Sequence, residues 1–205
     1  NVDIVAAGLR LVAGLGIGDS VNHLDTTVGT LTARATSGGV YVSETDGLTI
    51  GDVGTTVQRV GSDAGLTAVI DTVQSDVITA AGNATIVRTT ANGSIVLTAG
   101  TGPADDIAIA AHGSGNVLIQ ALGAGTSVIA GADVVSGTGS LSVLAAASVT
   151  FTGTADLRTA GAGSIDVLAG TGSITQSTES LFTTATGDIR LQAAIDVTVG
   201  AIATL

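Results

Sequence analysis

The chain has 205 residues, a net charge of −11, 30 glycines, one proline, no cysteine and three aromatic residues, Tyr41, Phe151 and Phe182. Its six basic residues are dispersed arginines, which excludes the basic patch that nucleic acid needs and disfavours anionic lipid surfaces. Without cysteine there is neither a disulfide framework nor a thiolate metal site.

The N-terminal stretch, Asn1–Ser20, opens directly into strand-like sequence, with no leader pattern. Between positions 22 and 54, Leu31/Ala33, Val40/Val42 and Leu48/Ile50 alternate with polar neighbours. Turn signals stand at Ser37-Gly38-Gly39, Asp46-Gly47 and Gly51-Asp52. Positions 55–91 are the least regular. The apolar spacing of Thr67–Ile78 suits one short helix or two strands, and its valine, isoleucine and threonine favour strands.

From Asn92 a motif recurs. It reads GSIVLTA at Gly93–Ala99, then GNVLIQA (Gly115–Ala121), GSLSVLA (Gly139–Ala145), GSIDVLA (Gly163–Ala169) and GDIRLQA (Gly187–Ala193). The starts recur about every 24 residues, and a fixed period of this size signals a solenoid. Second strands are expected at Ile107–Ile109, Val128–Ala130, Ser148–Thr152, Ser173–Thr175 and Ile195–Val199, and third strands at Asp133–Val135, Asp156–Thr159 and Leu181–Thr184. Three short strands per coil of roughly 18–24 residues predict an all-β fold, a parallel β-helix of about nine or ten coils. At about 4.8 Å per coil the rod would be roughly 45 Å long.

In this register Ile95, Val117, Leu141, Ile165 and Ile189 point inward, as do Leu97, Ile119, Val143, Val167 and Leu191. Ala99, Ala121, Ala145, Ala169 and Ala193 stack at a corner with room only for a small side chain. Glycine at the corners supplies backbone conformations with positive φ. Outward, Val96 would stack on Leu118 and Leu144 on Leu168, an apolar face that marks a possible interaction surface. Asp166 and Arg190 should sit one above the other.

The uncharged runs Ile107–Ala132 and Val134–Ala155 are long enough to span a membrane. Glycine triplets interrupt them and their apolar residues alternate, so no span is expected. Neither terminus carries the polar cap that a soluble solenoid needs. The chain therefore reads as a single solenoid segment, 1–205, of a longer one, less regular over 1–91 and regular over 92–205.

The repeated coil motif, together with Leu11–Gly54, resembles the repeat regions of giant bacterial filamentous-haemagglutinin-like, β-strand-repeat surface proteins. The resemblance covers nearly the whole chain. It implies a secreted, right-handed parallel β-helix serving as a stalk, adhesin or fibre at the cell surface, with no catalytic residues to transfer.

Catalytic motifs are scarce. A P-loop needs lysine, which is absent, and no helix follows Gly14-Leu15-Gly16-Ile17-Gly18. His23 and His112 read as loop residues with no nucleophile elbow nearby. Asp105-Asp106 follows Pro103 in a turn, where aspartates usually bond the local backbone. Asn83 and Asn92 open glycosylation sequons. No metal or cofactor is expected.

Three functions remain. The leading expectation is a non-catalytic structural segment whose partners are neighbouring solenoid units, end to end or lateral. A second is an adhesin module that binds a surface glycan or protein through Val96, Leu118, Leu144 and Leu168. A third is a carbohydrate-active β-helix enzyme, which requires carboxylates, or carboxylates with an arginine, converging in a groove.

Overall fold

The computed structural model describes residues 1–80, 82–89, 91–101 and 106–204. They form strands and turns with no helix. Twenty strands join in one sheet of parallel pairings. The remaining two, β5 (Val53–Val60) and β6 (Leu66–Gln74), make an antiparallel hairpin.

The sheet wraps round the core as three ladders, the pattern of a β-solenoid. The long strands β1 (Ile4–Ala13) and β2 (Leu24–Ala35) begin all three. The first ladder continues through β3 (Val40–Glu44), β8 (Thr85–Thr89), β11 (Val117–Ala121), β14 (Leu141–Ala145), β17 (Ile165–Ala169) and β20 (Ile189–Ala193). The second runs through β4 (Leu48–Ile50), β9 (Ile95–Leu97), β12 (Val128–Ala130), β15 (Val149–Phe151), β18 (Ile174–Gln176) and β21 (Val197–Thr198). The third runs through β7 (Val77–Thr79), β10 (Ile107–Ala111), β13 (Asp133–Ser136), β16 (Leu157–Thr159), β19 (Leu181–Thr184) and β22 (Ala201–Thr204).

Each ladder thus holds eight strands among the described residues, not the nine or ten coils that length suggested. The hairpin removes Val53–Gln74 from the stack, and long corners absorb further residues. Eight layers about 4.8 Å apart make a column about 34 Å long.

The first copy of the motif is placed one ladder away from its expected position. Ile95 is buried, but it stacks between Leu48 and Val128 in the second ladder, not under Val117. The residue beneath Val117 is Thr85. Ala99 is exposed and joins no alanine column. Any inward–outward–inward triplet behind a corner glycine imitates the motif, so Ile95-Val96-Leu97 matches by pattern while lying on a different face. Val117, Leu141, Ile165 and Ile189 do stack in register, as do Ala121, Ala145, Ala169 and Ala193. Ile189 and Ala193 are only partly buried, because none of the described residues covers the last layer.

The corner glycines serve close approach. Gly139, Gly163 and Gly187 are not among the glycines with positive φ. A β-carbon on any of them would collide with the carbonyl oxygen of the glycine one coil earlier: Gly115, Gly139 and Gly163 respectively. Hydroxyls line the same corner. Ser136 Oγ donates to the Gly115 carbonyl at 2.7 Å and Thr159 Oγ1 to that of Gly139 at 2.8 Å. Burying these hydroxyls is tolerable because each has an acceptor.

Inside, columns of valine, leucine and isoleucine fill the space between ladders. The two phenylalanines meet there edge to face, centroids 4.7 Å apart. Such a core needs few aromatic residues, because each aliphatic side chain stacks on its counterpart in the next layer. Burial of one such side chain contributes about 1.5–3 kcal/mol.

Candidate binding face

Alternate residues of the first ladder point away from the core. In register they form one row, Tyr41, Ile86, Leu118, Ser142, Asp166 and Arg190. A second row holds Ser43, Arg88, Gln120, Leu144, Leu168 and Gln192. Three of the four expected interaction residues, Leu118, Leu144 and Leu168, therefore share this face. Val96 lies on the next ladder between Thr49 and Ile129, so it does not stack on Leu118. The error follows from the displaced motif copy. Leu144 does stack on Leu168, and with Leu122 they border a shallow groove of about 230 Å³.

A larger groove, about 460 Å³, lies further toward the N-terminal end of the same face. Tyr41, Ile86 and Leu118 form its apolar floor, and Ser20, Asn116, Ser140 and Ser142 border it. Asn116 Oδ1 accepts the Ser140 backbone N–H at 2.8 Å.

The Tyr41 ring is held from two sides. It lies over Gly39, where a β-carbon would collide with the ring and with the Ala84 carbonyl oxygen. Its other neighbour is the His23 imidazole, centroids 5.7 Å apart and tilted by 50°. Burial lowers the His23 pKa below its ordinary value, and the nearby Arg88 lowers it further. The imidazole beside the tyrosine is therefore neutral near pH 7. The loop before His23 is shaped by Asp19, whose carboxylate accepts the Val21 and Asn22 N–H groups, each at 2.8 Å.

Carboxylates meet an arginine at one place on the third ladder. Asp133 Oδ2 lies 2.5 Å from Arg158 Nη2, and Asp156 Oδ2 lies 3.5 Å from Arg158 Nη1. Asp133 Oδ1 accepts the Asp156 backbone N–H at 2.8 Å, and Asp156 Oδ1 accepts that of Leu181 at 2.7 Å. Each carboxylate thus caps the backbone of the next layer. Burial raises the Asp133 pKa, against the lowering effects of that N–H and of Arg158. A general acid or base needs an oxygen free to face substrate. Here one oxygen of each carboxylate accepts a backbone N–H of the next layer and the other faces Arg158.

The other candidates are separate. His112 is exposed at a corner. Asp105 lies outside the described residues. Asn83 donates from its side chain to the Ala80 carbonyl at 2.5 Å, and Asn92 is exposed. Asp166 and Arg190 pair as expected at 2.7 Å, an exposed bridge that contributes at most about 1 kcal/mol. Among the described residues no group of three histidine or acidic side chains is placed to hold a metal, and no helix is long and apolar enough to cross a membrane.

Sequence reading missed Tyr41, Ile86 and Arg88 as parts of this face. The signal was present: Thr85–Thr89 reads inward–outward–inward like Val117–Ala121, but it precedes that strand by well over one motif period. Comparison with protein-family models, curated proteins and solved structures yields no match to this chain.

Proposed function

We propose that the chain is a structural segment of an extracellular fibre, stalk or surface filament. It is a non-catalytic, three-strand-per-coil solenoid that extends by pairing end to end with further solenoid units. The observation that carries this reading is the column itself. Its aliphatic core runs the length of the stack, and each of the three ladders repeats the same parallel pairing layer after layer. The resemblance to bacterial surface repeats supports the cell-surface setting, and the general preference of parallel strand connections for right-handed crossovers supports a right-handed coil.

Electron microscopy and sedimentation of the purified chain over a range of concentrations test the reading. Rods one column wide that lengthen with concentration are expected. A compact monomer at every concentration would overturn it.

A further inference from the structure

We propose that the groove over Tyr41, Ile86 and Leu118 binds a neutral saccharide laid along the column axis. The groove belongs to the side of the column, away from both ends, so the proposal stands independently of end-to-end assembly.

Four features point to this ligand class. The floor is built from three successive layers, β3, β8 and β11, about 4.8 Å apart, which offers an apolar step on the scale of one sugar ring per layer. A pyranose presents just such a surface: an apolar C–H face with hydroxyls at its rim. The borders answer those hydroxyls, since Asn116, Ser140 and Ser142 offer amide and hydroxyl groups that both donate and accept. No charged side chain lines the groove, and the net charge of −11 repels anionic ligands. Finally, the Tyr41 ring is fixed in advance between Gly39 and His23, so ordering it on binding costs little.

Tyr41 is the only tyrosine, and the chain has no tryptophan. Intrinsic tyrosine fluorescence therefore reports on this groove alone. The intact chain is titrated with lactose, cellotetraose and maltotetraose, with sialyllactose as an anionic comparison. A saturable change with at least one neutral sugar, in roughly the millimolar range, is expected. Leu118→Glu should weaken it at least tenfold, while Leu168→Ser, on the same face but outside the groove, should leave it unchanged. Circular dichroism confirms that both variants fold. No saturation with any neutral sugar, equal binding by the folded Leu118→Glu variant, or stronger binding of sialyllactose would overturn the proposal. An equal response to a polar peptide of similar length would also overturn it, assigning the groove to protein instead.

Discussion

The Thr26 hydroxyl donates to the Glu44 carboxylate at 2.7 Å, inside the fold. Glu44 is fully buried and occupies the inward position that Thr89, Ala121, Ala145 and Ala169 occupy in later layers. A carboxylate fits there because it turns toward the corner and also accepts the Val28 and Thr45 N–H groups, at 3.1 and 3.0 Å. Burial nevertheless raises its pKa above the ordinary 4.5, outweighing those hydrogen bonds. The folded chain therefore holds this proton more tightly than the unfolded chain. The stabilisation is full below about pH 4.5 and fades as pH rises through the folded value. Asp133 shifts in the same direction. Melting temperature measured by circular dichroism should fall across this window. Glu44→Gln, which removes the titration, should flatten part of the slope. Glu44→Ala should cost about 1–3 kcal/mol at low pH, by stranding the Thr26 and Val28 donors, and less as pH rises.

Gly139→Ala should destabilise the column by about 2 kcal/mol or more, because its β-carbon would strike the Gly115 carbonyl oxygen. A β-carbon on Gly14 would meet nothing within 4 Å, and Gly14 has no positive φ, so Gly14→Ala should be neutral or slightly stabilising. Chemical denaturation of the two variants side by side separates close approach from a general intolerance of alanine.

Phe182→Ala should cost about 3–5 kcal/mol. Its ring is fully buried, contacts Phe151 and stacks over Leu157. Denaturant midpoints with an unchanged slope would show the loss to be one of packing, not of fold.

Gly39→Ala should push the Tyr41 ring off its seat and also strain the first ladder, since its β-carbon would strike both the ring and the Ala84 carbonyl oxygen, which accepts the Val40 N–H at 3.0 Å. Acrylamide quenching of tyrosine fluorescence should increase. The same variant should weaken saccharide binding while leaving any end-to-end assembly intact.

The hairpin should be separable from the column. Val57, Val60, Leu66, Ile70 and Val73 are exposed on it, with Ile70 at 74%. It is tied down mainly near its base, where Arg10 approaches Asp71 at 3.6 Å and Gln74 donates to the Leu11 carbonyl and the Thr32 hydroxyl. Hydrogen exchange of the 56–70 segment should be much faster than that of β11 or β14, since a lone two-stranded ribbon is marginally stable. Replacing 56–70 with an Asn-Gly turn should leave the ladders folded.

The regular half of the fold is legible because its corners repeat. Where Gly115, Gly139, Gly163 and Gly187 follow at constant spacing, inward and outward residues can be assigned singly, and Val117 through Ile189 stack accordingly. Before Gly115 the corners vary in length, so the pattern puts Ile95 and Val96 on the wrong ladder. Thr67–Ile78 does divide into strands, β6 and β7, yet alternation alone cannot tell that β6 pairs antiparallel with β5 outside the column. The groove is invisible in the sequence for a related reason. Tyr41, Ile86 and Leu118 are separated by unequal intervals and become neighbours only once the layers are stacked.

Spacing in the second ladder is uneven: the stretch of chain from Val128 to its partner Val149 is shorter than that from Val149 to its partner Ile174. Between β4 and β7 an entire hairpin is accommodated, and both strands still join their ladders. Stacking, not residue count, sets the layers. The column thus behaves as a chassis whose corners are indifferent to cargo, and a peptide spliced into the hairpin tip near Asp63 would be carried on its flank without disturbing a single rung.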